Sequence, residues 1–168
     1  VHLPEMQMHT TGFWLTFPED WVQARREPRA AVIDALRGLS KAMHTVASIG
    51  LMVDPRDLGR TLGDKTDADG PPSKGVGGGP GFDPTIFLYD YVAGGIGLAP
   101  RLFDEREVLL QRTRRLVEAC ECQAGCPACI GPDAGESDEQ GEPIAGVMPT
   151  RKEIVLDVLR SVGVLSLH

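Results

Sequence analysis

The chain has 168 residues, 42% of them hydrophobic, which suits one domain around a single core. Its formal charge is −7; nucleic-acid modules usually carry the opposite sign, so any hold on DNA by this segment alone is expected to be weak or local. No apolar run approaches the roughly 18 residues that span a bilayer, so no membrane partner is expected, and the opening "VHLPEMQMHT", without a basic region followed by an apolar one, does not read as a secretory leader.

The first residue is Val rather than Met, and the chain is expected to be a segment of a longer protein. Residues 5–17 read as a strand, because Phe13, Leu15 and Phe17 alternate with Trp14 and Thr16. "FPEDW" ends it. From Pro28 to about Leu51 the pattern is helical, with Val32, Leu36, Leu39, Met43 and Val46 on one stripe. "DPRDLG" (54–59) reads as a turn or a short helical piece. Residues 63–84 hold seven Gly and four Pro and are expected to be a flexible loop inside one domain, since ordering them would bury little apolar surface.

"TIFLYDY" (85–91) is apolar enough for a central strand. "VAGGIGLAP" then makes a tight glycine turn, and Pro100 fits the first turn of a helix running to Cys120. Leu102, Leu109, Thr113, Leu116, Val117 and Cys120 share one face of that helix, with Arg101, Glu105, Arg112 and Arg115 toward another. A second flexible loop is expected over 131–146, which gathers Asp133, Glu136, Asp138, Glu139 and Glu142 and leaves the rest of the chain near neutral. Thr150 and Glu153 form a capping box for a last helix with Ile154, Val155, Val158, Leu159 and Val162 on its apolar side. The expected fold class is α/β: one domain over 1–168, a small mixed sheet, about three main helices, and a four-cysteine knuckle after one of them.

All four cysteines, Cys120, Cys122, Cys126 and Cys129, fall within ten positions as C-x-C-x3-C-x2-C. Cys120 and Cys122 are too close for an easy disulfide, and bridges inside so short a stretch would close tiny loops. Four thiolates instead complete a tetrahedral shell around one structural Zn²⁺ and leave no position for water. An iron–sulfur cluster or a redox thiol set are the alternatives. Gly125 and Gly131 flank "CPAC", where the backbone has to curl. Zinc would pin a loop too poor in apolar residues to order itself, and would tie it to the end of the preceding helix.

Three further features carry weaker signals. "GGIG" (94–97), between a strand and a helix, is a place where phosphate can bind, but it lacks G-x-G-x-x-G and the lysine of a P-loop. A structural turn of Gly94, Gly95 and Gly97, with Asp90 accepting from its amides, is the preferred reading. Arg25, Arg26 and Arg29, followed by Arg37 and Lys41, form the best basic patch, either a solvated helix start or an edge that contacts phosphate. His44 reads as a hydrogen-bonded histidine at the core edge, while His2, His9, His168, Ser40, Ser48 and Ser73 carry no signal.

"HTTGFWL", "LMVDPRDLG", "FLYDYVAGGIGLAPRLF" and "CECQAGCPACIGP", in that order, resemble the MrfA zinc-binding domain family, from about residue 5 to 165. The family was long a domain of unknown function at the C-terminus of DEAD/DEAH-type helicases. The resemblance implies one structural zinc on Cys120, Cys122, Cys126 and Cys129. It implies a parent that is an ATP-dependent superfamily 2 DNA helicase, moving 3′ to 5′ and acting in DNA repair, in the bacterial cytoplasm at the nucleoid. The implied partners are the motor lobes upstream in the same chain and single-stranded or tailed duplex DNA. The Gly/Pro-rich and acidic loops look like insertions against the family pattern.

Overall fold

The computed structural model describes residues 9–64, 83–132 and 149–165. Its elements run β1 (Gly12–Thr16), α1 (Glu19–Gln23), α2 (Arg29–Leu51), β2 (Leu58–Asp64), β3 (Pro84–Asp90), α3 (Leu98–Asp104), α4 (Arg106–Ala119) and α5 (Arg151–Leu165). The fold is α/β. The small sheet has three strands in the order β1-β3-β2, and both pairings are antiparallel rather than mixed.

β3 takes the centre because its residues are apolar on both faces; Ile86 and Leu88 are fully buried, with Phe87 nearly so. The register sets Phe13 against Leu88 and Leu15 against Ile86 on one side, and Leu62 against Ile86 on the other. These apolar positions share the face that packs on α2, the long helix that also meets α4 and α5. Val32, Leu36, Leu39 and Met43 of α2 are wholly buried. Ala35, Ala42 and Ala47 are buried with them, so α2 is enclosed on more sides than a single stripe implies.

Four further expectations are corrected. The first strand begins at Gly12, with residues 5–8 outside the described ones. Pro18 starts the short helix α1 where only a stop was expected, and the Glu19 N–H is held by Asp83 Oδ1 at 2.8 Å. Residues 55–57 form the turn that was one of the two readings, but Leu58 and Gly59 already belong to a strand, β2, which also takes Gly63 and Asp64 from the expected loop. Leu58 and Leu62 do share a face there, but Gly59 and Arg60 between them hide the period. Pairing with β3 supplies what propensity does not, and the Tyr89 ring fills the space beside Gly59, where a Cβ would stand 2.3 Å from it. Finally, the helix expected from Pro100 to Cys120 is two helices that meet at Glu105. Leu98, Ala99 and Leu102 of α3 pack toward the sheet, whereas α4 packs on α2 and α5, and one straight helix cannot serve both directions.

Of the two expected loops, residues 65–82 and 133–146 lie outside the described ones, while Gly131 is buried and belongs to the cysteine turn. No described helix is long and apolar enough to cross a membrane.

Candidate metal centre

α4 ends at Ala119, and Cys120 leaves it in extended conformation. The chain then turns back on itself, bringing the four sulfurs within 4.8 Å of one another. Cys120 Sγ is 3.5 Å from Cys126 Sγ, Cys122 Sγ is 3.5 Å from Cys129 Sγ, and Cys126 Sγ is 3.7 Å from Cys129 Sγ. These are free thiols, since a disulfide would need about 2.05 Å. Zn–S bonds of about 2.3 Å in a tetrahedron place sulfurs about 3.8 Å apart. The donor set and its spacing therefore suit one tetrahedral ion, and a multi-iron core would push the sulfurs wider.

The turn is built for this approach. The amides of Cys129 and Gly131 both donate to the Cys126 carbonyl, at 3.0 and 2.9 Å. Gly125 at φ 139° and Gly131 at φ 85° permit the reversal, and a Cβ on Gly125 would stand 2.8 Å from the Gly131 carbonyl oxygen. Burial pushes the Cys122 thiol up to about 12, helped by its hydrogen bonds to Cys129, Cys120 and Cys126. Hydrogen bonding from Cys120, then from the Ala128 backbone, brings Cys126 down to about 7. Thiols packed this closely do not all ionise without a cation between them, so metal loading expels protons.

A collar of basic side chains fixes the backbone of this turn. Lys152 Nζ donates to the carbonyls of Cys120 and Cys122, the latter at 2.9 Å. Its backbone N–H reaches Ala124 O at 3.2 Å, and Thr150 Oγ1 reaches Gln123 O at 3.3 Å. Lys41 Nζ of α2 holds the Pro127 carbonyl. Arg151 Nη1 binds the carbonyls of Gly131 and Pro132 at 3.0 and 2.9 Å, while its Nε pairs with Asp34 of α2 at 2.7 Å. The cysteine turn is thus clasped between α2 and the first turn of α5. Lys41 was read from the sequence only as part of the basic patch, and Arg151 and Lys152 were not singled out at all. Their signal was Arg151-Lys152 in the first turn of a helix, where the dipole disfavours cations and some other acceptor has to hold them.

The family model for the MrfA zinc-binding domain matches residues 39–130, more than half of the chain. The chain belongs to this family. It is 32% identical over 134 residues to an uncharacterised ATP-dependent helicase, YprA, of Bacillus subtilis, covering 78% of this chain and 16% of the helicase. A shorter match, 44% identical over 45 residues, joins it to an uncharacterised protein of Methanocaldococcus jannaschii, covering 27% of this chain and 40% of that protein. Among solved structures it resembles the helicase MrfA bound to DNA, with a TM-score of 0.70 and 26% identity over 96% of this chain and 18% of that one. MrfA bound to DNA and AMPPNP gives a TM-score of 0.61 and 27% identity over 95% of this chain and 16% of that one. The chain thus spans about a sixth of the helicases it matches.

The glycine turn of this MrfA zinc-binding domain is occupied by the chain itself. Asp90 is fully buried, and its Oδ2 accepts from the amides of Ile96, Gly97 and Leu98 at 2.6, 2.9 and 3.2 Å. Its Oδ1 accepts from Ala99 at 3.0 Å. This carboxylate sits where an external phosphate would bind at the start of α3. Gly94, Gly95 and Gly97 all have positive φ, as such a turn requires.

The three arginines of the basic patch do not act together. Arg25 is 9% exposed, stacks over Trp21 at 5.0 Å, and pairs with Glu27 at 3.0 Å and Asp157 at 2.8 Å. Arg29 pairs with Glu19 at 3.1 Å. Arg26 is exposed. His44 Nε2 lies 2.6 Å from the Leu58 carbonyl, between α2 and β2.

Proposed function

We propose that the chain is one non-catalytic, structural-zinc accessory domain of an ATP-dependent 3′-to-5′ DNA helicase that acts in DNA repair, in the cytoplasm at the nucleoid. It braces the motor lobes of the same chain and helps guide single-stranded DNA. The observation that supports this reading is the four-sulfur cluster, whose atoms lie within 4.8 Å of one another and would fill every position of a tetrahedral ion. Such a closed shell stabilises structure and leaves no position at which a substrate or water reacts. Resemblance to a helicase crystallised with DNA supports the setting, and ATP hydrolysis belongs to the parent protein rather than to this segment. Trp14, 53% exposed on β1, offers a base-stacking face, and Arg26 a phosphate contact.

The net charge of −7, and the pairing of Arg25 and Arg29 with carboxylates of the chain, favour a second reading: a scaffold that joins protein surfaces without touching DNA. Replacing Trp14 and Arg26 together by Ala in the full-length helicase separates the two. Guidance predicts several-fold weaker binding of tailed duplex and a shallower salt dependence, with ATP hydrolysis retained. Unchanged affinity and salt slope would favour the scaffold. Elemental analysis tests the metal, with one zinc per colourless chain expected and a brown, iron-bearing preparation refuting it.

A further inference from the structure

We propose that Lys152 is the counter-charge and positioning residue of the metal centre: its ammonium balances the tetrathiolate and holds the Cys120–Cys122 arm in ligating geometry. The inference rests on the four cysteines being a metal site, and assigns a role to a residue outside the ligand set.

Lys152 is only 8% exposed. Its ammonium meets the carbonyls of Cys120 and Cys122, and among the described residues no carboxylate forms an ion pair with it. It also stands in the first turn of α5, whose dipole opposes a positive charge. A buried ammonium so placed is costly unless an anion lies close by. The adjacent groups that can supply one are the cysteines: four thiolates around one divalent ion carry two net negative charges. Arg151 differs, because its charge is already answered by Asp34 at 2.7 Å. Lys41, on the Pro127 carbonyl between the other two ligands, is the more exposed second cation.

Lys152 therefore works in two ways. Its charge makes the tetrathiolate cheaper to bury, and its two hydrogen bonds prevent the arm bearing Cys120 and Cys122 from swinging away when a Zn–S bond opens. Both predict slow zinc release.

The test uses the zinc-loaded, full-length protein and measures zinc transfer to a chromogenic chelator well below the melting temperature. Lys152→Met, similar in length and uncharged, is expected to release zinc at least tenfold faster, and Lys152→Arg to recover most of the parent rate. Val158→Ala, which loosens the buried face of the same helix without altering charge, should stay within twofold of the parent. Parent-like release from Lys152→Met, or equal acceleration by Val158→Ala, overturns the proposal. If Lys152→Met does not fold, Lys152→Gln replaces it; this keeps a donor for the carbonyls but no charge, and release as slow as the parent's overturns the counter-charge. A parent that binds no zinc refutes the metal reading itself, and the proposal with it.

Discussion

Asp90→Ala probes the turn that joins sheet to helix. The substitution removes one buried carboxylate that accepts four backbone N–H groups, at 2.6 to 3.2 Å. Ile96 and Gly97 are exposed, and water can take over their amides. Leu98 and Ala99 are 4% and 3% exposed, so their amides stay dry and lose their acceptor. Two stranded donors at about 1–3 kcal/mol each, together with the lost charge–dipole attraction, give a destabilisation of about 3–5 kcal/mol. Asp90→Asn keeps one carbonyl oxygen and is expected to cost less, about 2–3 kcal/mol. Urea denaturation of the zinc-loaded protein reads the difference as a lower midpoint at constant slope. A midpoint for Asp90→Ala that implies less than 1 kcal/mol of loss would refute the reasoning, because it would mean that the amides find equal partners elsewhere.

Met52 closes α2 in the left-handed region at φ 54° with its side chain 91% exposed, so Met52→Gly should stabilise by about 0.5–1 kcal/mol in thermal melts. Gly125→Ala should lower zinc affinity and stability by about 2 kcal/mol or more, since φ 139° and the Gly131 carbonyl both resist a Cβ; competition with a calibrated chelator measures this. Hydrogen bonding from Arg29 holds the Glu19 carboxyl below its ordinary range, so its contribution is full above the unfolded pKa and fades as pH falls through the folded one. Glu19→Gln is therefore expected to cost about 1 kcal/mol near neutrality and nothing at strongly acid pH, in denaturation series across pH. Acid should also displace zinc, because protons compete for the thiolates, and Cys126→Ser should melt far below the parent.

The stripe on α2, the Thr150–Glu153 box and the central strand were all legible in the sequence, because each is a local pattern of residue types. The box closes with Thr150 N on Glu153 Oε2 at 2.6 Å and Glu153 N on Thr150 Oγ1 at 3.2 Å. The spacing of the cysteines was enough to expect one ion. β2 was hidden because Gly59 sits in it beneath the Tyr89 ring, a pairing between strands distant in the chain. The break at Glu105 was hidden because it answers to where the neighbouring elements lie. The basic collar was hidden for a similar reason: Lys41 and Lys152 are ordinary helix-surface residue types until folding brings them to the same turn.

Arg151 holds the carbonyl of Pro132 at 2.9 Å, and the ladder pairs Asp64 with Pro84. The two long intervening stretches, glycine-rich and acidic, therefore depart from and return to stems fastened by other means. Lengthening a segment between such anchored ends is cheap, about 0.6 kcal/mol for each doubling. An affinity tag or fluorescent reporter grafted into either stretch should therefore leave the body that carries the four cysteines intact.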